Sequence, residues 1–70
     1  MTVTIREDFI KLDSLLKLSG VASTGGHAKI LILEGNVLVN GEVCTARGKK
    51  IRPSDRVLVE NTEIKVETKN

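Results

Sequence analysis

Tryptophan and tyrosine are absent from this chain of 70 residues, Phe9 is its one aromatic side chain, and cysteine, histidine and proline occur once each. Each scarcity excludes something. A single thiol, Cys44, cannot form an internal disulfide, so the chain is no cystine-stapled miniprotein, and a lone thiol suits a reducing cytoplasm. One histidine and one cysteine fall short of a structural zinc site. The longest apolar run, Ile30-Leu31-Ile32-Leu33, is far below the roughly 20 residues of a membrane-crossing helix. Residues 1–8 lack the basic-then-apolar order of a secretory leader. The expectation is a cytoplasmic protein with no membrane partner, no metal and no cofactor.

What is present is an ordinary globular balance, 40% apolar and 29% charged. Residues 1–70 read as one small domain, too short to enclose a catalytic cleft or a small-molecule substrate. The net charge is only +2, but it is unevenly spread. Residues 1–35 carry four basic and four acidic groups, and residues 36–70 carry seven and five. Within the second half, Arg47-Gly48-Lys49-Lys50-Ile51-Arg52 gathers four positive charges in six residues with no negative one. A local basic cluster on a near-neutral chain is what docks on phosphate, although such a run also serves as a solvated loop.

The pattern predicts an α+β chain: strand, helix, helix, then a strand-rich second half. Thr2-Val3-Thr4-Ile5-Arg6 alternates as a half-buried strand does. Leu12, Leu15, Leu16 and Ser19 make one buried stripe on a helix over residues 11–18. Gly20 is expected at the left-handed stop, with Val21 folding back over Leu16. A second helix starts near Ser23 or Thr24, whose hydroxyl caps it, and stops at Gly35. Ile30 and Leu33 lie opposite Ala28, Leu31 and Ile32, which predicts burial on both sides. Asn40-Gly41 signals a type I′ hairpin that sets Leu38 opposite Val43 and Val37 opposite Cys44. Pro53 suits the second position of a turn. A loop at Asn61-Thr62 would pair Val59 with Ile64, Val57 with Val66 and Leu58 with Lys65. Two helices then cover one side of a small antiparallel sheet.

No catalytic constellation emerges, and the chain reads as a non-enzyme. Asp13 and Asp55 have no partner carboxylate in the pattern, and nothing brings Cys44 to His27. Residues 20–26 lack the Gly-Lys-Ser/Thr ending of a phosphate-binding nucleotide loop. Phosphate binding without catalysis is better supported. The first turn of the second helix offers free N–H groups, and Gly25 and Gly26 allow close approach. Those glycines cost roughly 1 kcal/mol each inside a helix, unless the helix starts beyond them.

Lys11-Leu12-Asp13, Leu16-Lys17-Leu18-Ser19-Gly20, Thr24-Gly25-Gly26-His27-Ala28-Lys29, Glu34-Gly35-Asn36-Val37-Leu38-Val39-Asn40-Gly41-Glu42 and Arg47-Gly48-Lys49-Lys50-Ile51 together resemble, in order and spacing, an S4 RNA-binding domain. The likeness is to free-standing bacterial S4-like proteins of the YaaA/YbcJ type and covers about residues 8–60. The resemblance implies an αL motif, two short helices packed on a small antiparallel sheet. It also implies a structured RNA partner, ribosomal RNA or a ribosomal particle, in ribosome assembly or translation. Carried over by position, the contacts are Lys11, Thr24, His27, Lys29, Arg47, Lys49 and Lys50, beside the Gly25-Gly26 backbone. The chain departs from the pattern in two places. Gly25-Gly26 stands near a Ser-Arg common in S4 domains, and Ser54-Asp55 replaces a frequent Gly-Asp.

Aromatic poverty bears on how RNA would be read. Single strands are recognised largely by stacking on aromatic rings, and Phe9, next to the first helix, is expected in the core. Recognition of double-helical RNA through phosphates and shape follows, by a monomer. The amino end of the second helix and the basic loop are expected to meet at one place. A helix-turn-helix DNA reader would need polar side chains where Ile30-Leu31-Ile32-Leu33 stands. A ubiquitin-like sulfur carrier would need a Gly-Gly terminus. A small protein-interaction adaptor would use the same basic surface on an acidic partner.

Overall fold

The computed structural model describes residues 1–69. Its strands are β1 (Thr2–Ile5), β2 (Ile10–Lys11), β3 (Val37–Val39), β4 (Glu42–Val43), β5 (Lys50–Ile51), β6 (Arg56–Val59) and β7 (Thr62–Thr68). Two helices, α1 (Leu12–Leu18) and α2 (Gly25–Leu33), fall between β2 and β3. Five strands form one sheet in the order β1-β7-β6-β3-β4, and β2 pairs with β5 as a separate ribbon. Val3, Ile5, Val37, Val39, Val57, Val59, Ile64 and Val66 alternate with exposed neighbours and turn one sheet face inward. Leu12, Leu15, Leu16, Ala28, Leu31 and Ile32 meet that face from the helices. The core is aliphatic throughout.

Both helices stop where expected. Gly35 (φ +80°) closes α2 with its N–H on Ile32 O and the Asn36 N–H on Leu31 O, the paired bonds of a Schellman ending. Gly20 (φ +84°) follows α1 and donates to Lys17 O, but the closing bond to Leu16 O comes from Ala22 rather than Val21. The Val21 N–H is diverted to Ser19 Oγ at 3.3 Å, so Ala22 is the residue drawn into the core. Pro53 does take the second place of a turn closed by Asp55 N–H on Arg52 O.

Several expectations are corrected. Ile30 and Leu33 are exposed, because the two helices form a single layer and α2 has only one face against the sheet. The sheet is not wholly antiparallel: β1 runs parallel to β7 at its edge. The Asn40-Gly41 hairpin sets Leu38 opposite Val43, as expected. The later hairpin turns one residue earlier, with Glu60 (φ 46°) and Asn61 (φ 76°) both left-handed. Val57 therefore faces Ile64, Leu58 faces Glu63 and Val59 faces Thr62. The register moves by two residues, so every valine keeps its buried side. Phe9 is not in the core; its ring is half-buried among cations.

Candidate nucleic-acid interface

The basic loop is held by the first helix it meets. α1 has seven residues and no side-chain N-cap. Its first N–H groups need acceptors and find them in the loop: Leu12 N–H donates to Lys49 O at 2.9 Å and Asp13 N–H to Arg47 O at 3.0 Å. The carbonyls face the helix while the Arg47 and Lys49 side chains are exposed. The same contact sets the β2–β5 ribbon, in which Ile10 pairs with Ile51 and Lys11 with Lys50. Ile51 is fully buried, so strand alternation turns Lys50 and Arg52 out to solvent on either side of it.

Lys11 and Lys50 thus stand directly opposite each other. Like charges across a pair of strands repel, and the molecule shows how it handles that elsewhere. Arg56 also faces a cation, Lys65, but Glu63 lies between them at 3.0 Å from Arg56 and 4.0 Å from Lys65. No carboxylate among the described residues reaches ion-pair distance of Lys11, Arg47, Lys49, Lys50 or Arg52. Two acids that flank the cluster in sequence, Asp13 and Asp55, have other partners. Asp13 Oδ1 accepts from Ser14 N–H, and Asp55 accepts from Arg52 N–H (2.8 Å) and Asn40 Nδ2 (2.9 Å). These bonds, the one from the Arg52 backbone first, hold the Asp55 carboxyl below its ordinary range, and the Lys49 and Arg52 charges add to this.

A second group of predicted residues opens α2. Thr24 is the N-cap, its Oγ1 accepting from His27 N–H at 3.0 Å, a cap worth about 1 kcal/mol. The Ser23 N–H donates to His27 Nδ1 at 3.2 Å. Accepting there places the neutral ring's proton on Nε2, whose N–H is free to donate. The helix begins at Gly25, so both glycines lie inside its first turn rather than before it. A Cβ on Gly25 would meet nothing within 4 Å and one on Gly26 only Thr24 Oγ1 at 3.8 Å. Internal packing therefore does not require either glycine.

The structure brings Lys11, Arg47, Lys49 and Lys50 together around the start of α1. Thr24, Gly25, Gly26, His27 and Lys29 belong to the segment that follows its other end. Seven residues of α1 span about 10 Å. No hydrogen bond or ion pair among the described residues links the two groups. Two residues outside the predicted set, Phe9 and Arg52, join the first group: the Lys50 Nζ lies 4.9 Å and the Arg52 guanidinium 5.8 Å from the centre of the Phe9 ring. Arg52 was visible as the end of the basic run. Phe9 was hidden by the expectation that a lone aromatic packs inside.

The sequence matches a known family over nearly the whole chain: a family model described as S4 domain covers residues 3–67. The chain belongs to the S4-domain family. A relative of this S4 protein in Bacillus subtilis (strain 168), a "probable ribosome maturation protein RlbA", is 40% identical over 58 residues. That match takes in 83% of this chain and 82% of the relative. No helix among the described residues of the S4 protein is long and apolar enough to cross a membrane.

Proposed function

We propose that this S4-domain protein is a non-catalytic RNA-binding module that docks on structured ribosomal RNA and serves the maturation of a ribosomal particle. One observation carries the reading: Lys11 and Lys50 are held face to face with no carboxylate of the described residues within ion-pair distance of either, while the comparable Arg56–Lys65 pair has Glu63. A fold keeps such a local conflict where a ligand resolves it, and a phosphate backbone is the polyanion that does so. Membership of the S4 family and the ribosome-maturation name of the Bacillus relative support RNA as that polyanion.

In this reading Lys11, Arg47, Lys49 and Lys50 grip phosphates at the start of α1. The exposed Gly25-Gly26 backbone, the Thr24-capped turn, His27 Nε2–H and Lys29 meet the same RNA helix beyond the other end of α1. Titration of isotope-labelled protein with double-stranded RNA tests the assignment. Amide shifts are expected at residues 24–29 and 47–50. Shifts confined to residues 56–68 would move the interface elsewhere.

A further inference from the structure

We propose that Phe9 is a stacking platform for an unpaired nucleobase of the bound RNA, with Lys50 and Arg52 taking the phosphates beside that base; this rests on the RNA-binding reading above. The chain has one aromatic side chain, and a small domain ordinarily buries such a residue for its large apolar area. Here the core is wholly aliphatic, and the partly buried apolar residues packed against it are Ile10, Val21 and Cys44, not Phe9. The ring instead sits half-exposed at the edge of the basic cluster.

Its place is fixed by the ribbon. Ile10 pairs with Ile51 and Lys11 with Lys50, and the same register carried one step on brings Phe9 abreast of Arg52. Both cations lie within the range of a cation–π contact, at 4.9 and 5.8 Å from the ring centre. Neither has an acidic partner within ion-pair distance among the described residues. The result is an aromatic ring with two phosphate-seeking groups lying over it. Every base has a π-face that stacks on such a ring, and the adjoining backbone brings anions to its flanks.

A perfect duplex would use only the cations, since its bases remain stacked inside and its major groove is closed to side chains. An unpaired base at a bulge, loop or helix end uses the ring as well. On arrival the base replaces the Lys50 ammonium over the ring, and the flexible lysine stem carries that charge to the neighbouring phosphate. The bulk of the interface remains double-helical; Phe9 selects where along it the protein settles.

The test compares three RNAs: a short duplex with one unpaired adenosine, the same duplex with an abasic residue in its place, and the fully paired duplex. Phe9→Trp makes an indole the sole fluorophore of its kind in the chain, and quenching is expected with the unpaired adenosine alone. Phe9→Leu is expected to weaken binding of that RNA by about 5- to 100-fold, while paired-duplex affinity and its salt dependence stay unchanged; Phe9→Tyr retains the preference. If Phe9→Leu melts early, the wild-type protein still decides. Equal affinity for the adenosine and abasic RNAs overturns the stacking proposal while leaving the phosphate reading standing. Failure of the wild-type protein to bind any of the three removes both.

Discussion

Asn40 Nδ2 donates to Asp55 Oδ1 at 2.9 Å, joining the first hairpin turn to the turn that ends the basic loop. The strut is reciprocal. Asn40 Oδ1 accepts from Arg56 N–H at 3.0 Å, the Asn40 N–H donates to Arg56 O at 2.8 Å, and Asp55 Oδ2 accepts from Arg52 N–H at 2.8 Å. Between them these two side chains fix where the lysine-rich segment leaves the sheet. Asn40 is left-handed (φ 53°), a conformation asparagine tolerates better than most residues. Its choice serves turn and strut together.

Asp55→Ala removes an ionised acceptor from two donors and, because both bonds are exposed to water, is expected to lower stability by about 0.5–1.5 kcal/mol, read by urea unfolding at neutral pH. Because Asp55 titrates lower in the folded than in the unfolded chain, its stabilisation is complete above the unfolded value of about 3.9. It fades as pH falls through the lower folded value. Asp55→Asn should therefore show a shallower loss of stability on acidification than the wild type. An identical acid limb in both proteins would contradict this.

Lys50→Glu replaces the repulsion across the β2–β5 ribbon with attraction to Lys11. Melting temperature at low salt should rise, by an amount corresponding to about 0.2–1 kcal/mol, while RNA affinity drops. Stability and binding moving in opposite directions is the signature to seek. If both fall, the like-charge pair is not under strain.

Lys49→Ala tests the phosphate grip by ionic strength. With four to six phosphate contacts, log K should fall with log salt at a slope of about −4 to −5, and the variant should lose about one unit of slope. Filter binding across a salt series gives the number. An unchanged slope would take Lys49 out of the interface.

Gly25→Ala exchanges a flexible residue for a helix former at a position where the added methyl meets open space. Thermal unfolding should show a gain of about 0.4–1 kcal/mol. RNA affinity should fall, because the methyl keeps a phosphate from the backbone. A stabilised variant with full affinity would mean that no backbone approach occurs there.

Glu60→Asn addresses the second hairpin, where glutamate stands at the first left-handed place of the turn with φ 46°. Asparagine is preferred there, and relief of the strain is expected to stabilise the protein by about 1 kcal/mol. Chemical denaturation measures it, with no effect on RNA binding.

The sequence made the local elements legible because their signals are local. Thr24 caps, Gly20 and Gly35 stop, Asn40-Gly41 turns, and the leucine stripe of α1 faces inward, all through contacts within a few residues. The second hairpin misled because Asn61 suits either left-handed place of its turn, and glutamate gave no hint that it would accept the other. The parallel β1–β7 pairing carries no periodic mark: Thr2-Val3-Thr4-Ile5 alternates alike in either orientation. At the candidate interface, the charge run announced Arg47, Lys49 and Lys50. Their union with Lys11 came from carbonyls of the loop capping a helix, which no side-chain pattern encodes. Phe9 was obscured by the rule that aromatics fill cores, a rule this domain escapes by building its interior from aliphatic side chains alone.

The parallel seam between β1 and β7 also has a temporal meaning. β7 lies between β1 and β6, and the Lys65 and Lys69 N–H groups reach back to the Met1 and Ile5 carbonyls. During synthesis β1 waits for its sheet partner until β7, which follows both helices and the basic loop, has left the exit tunnel. The helices and basic loop therefore emerge before the sheet edge formed by β1 and β7 is in place.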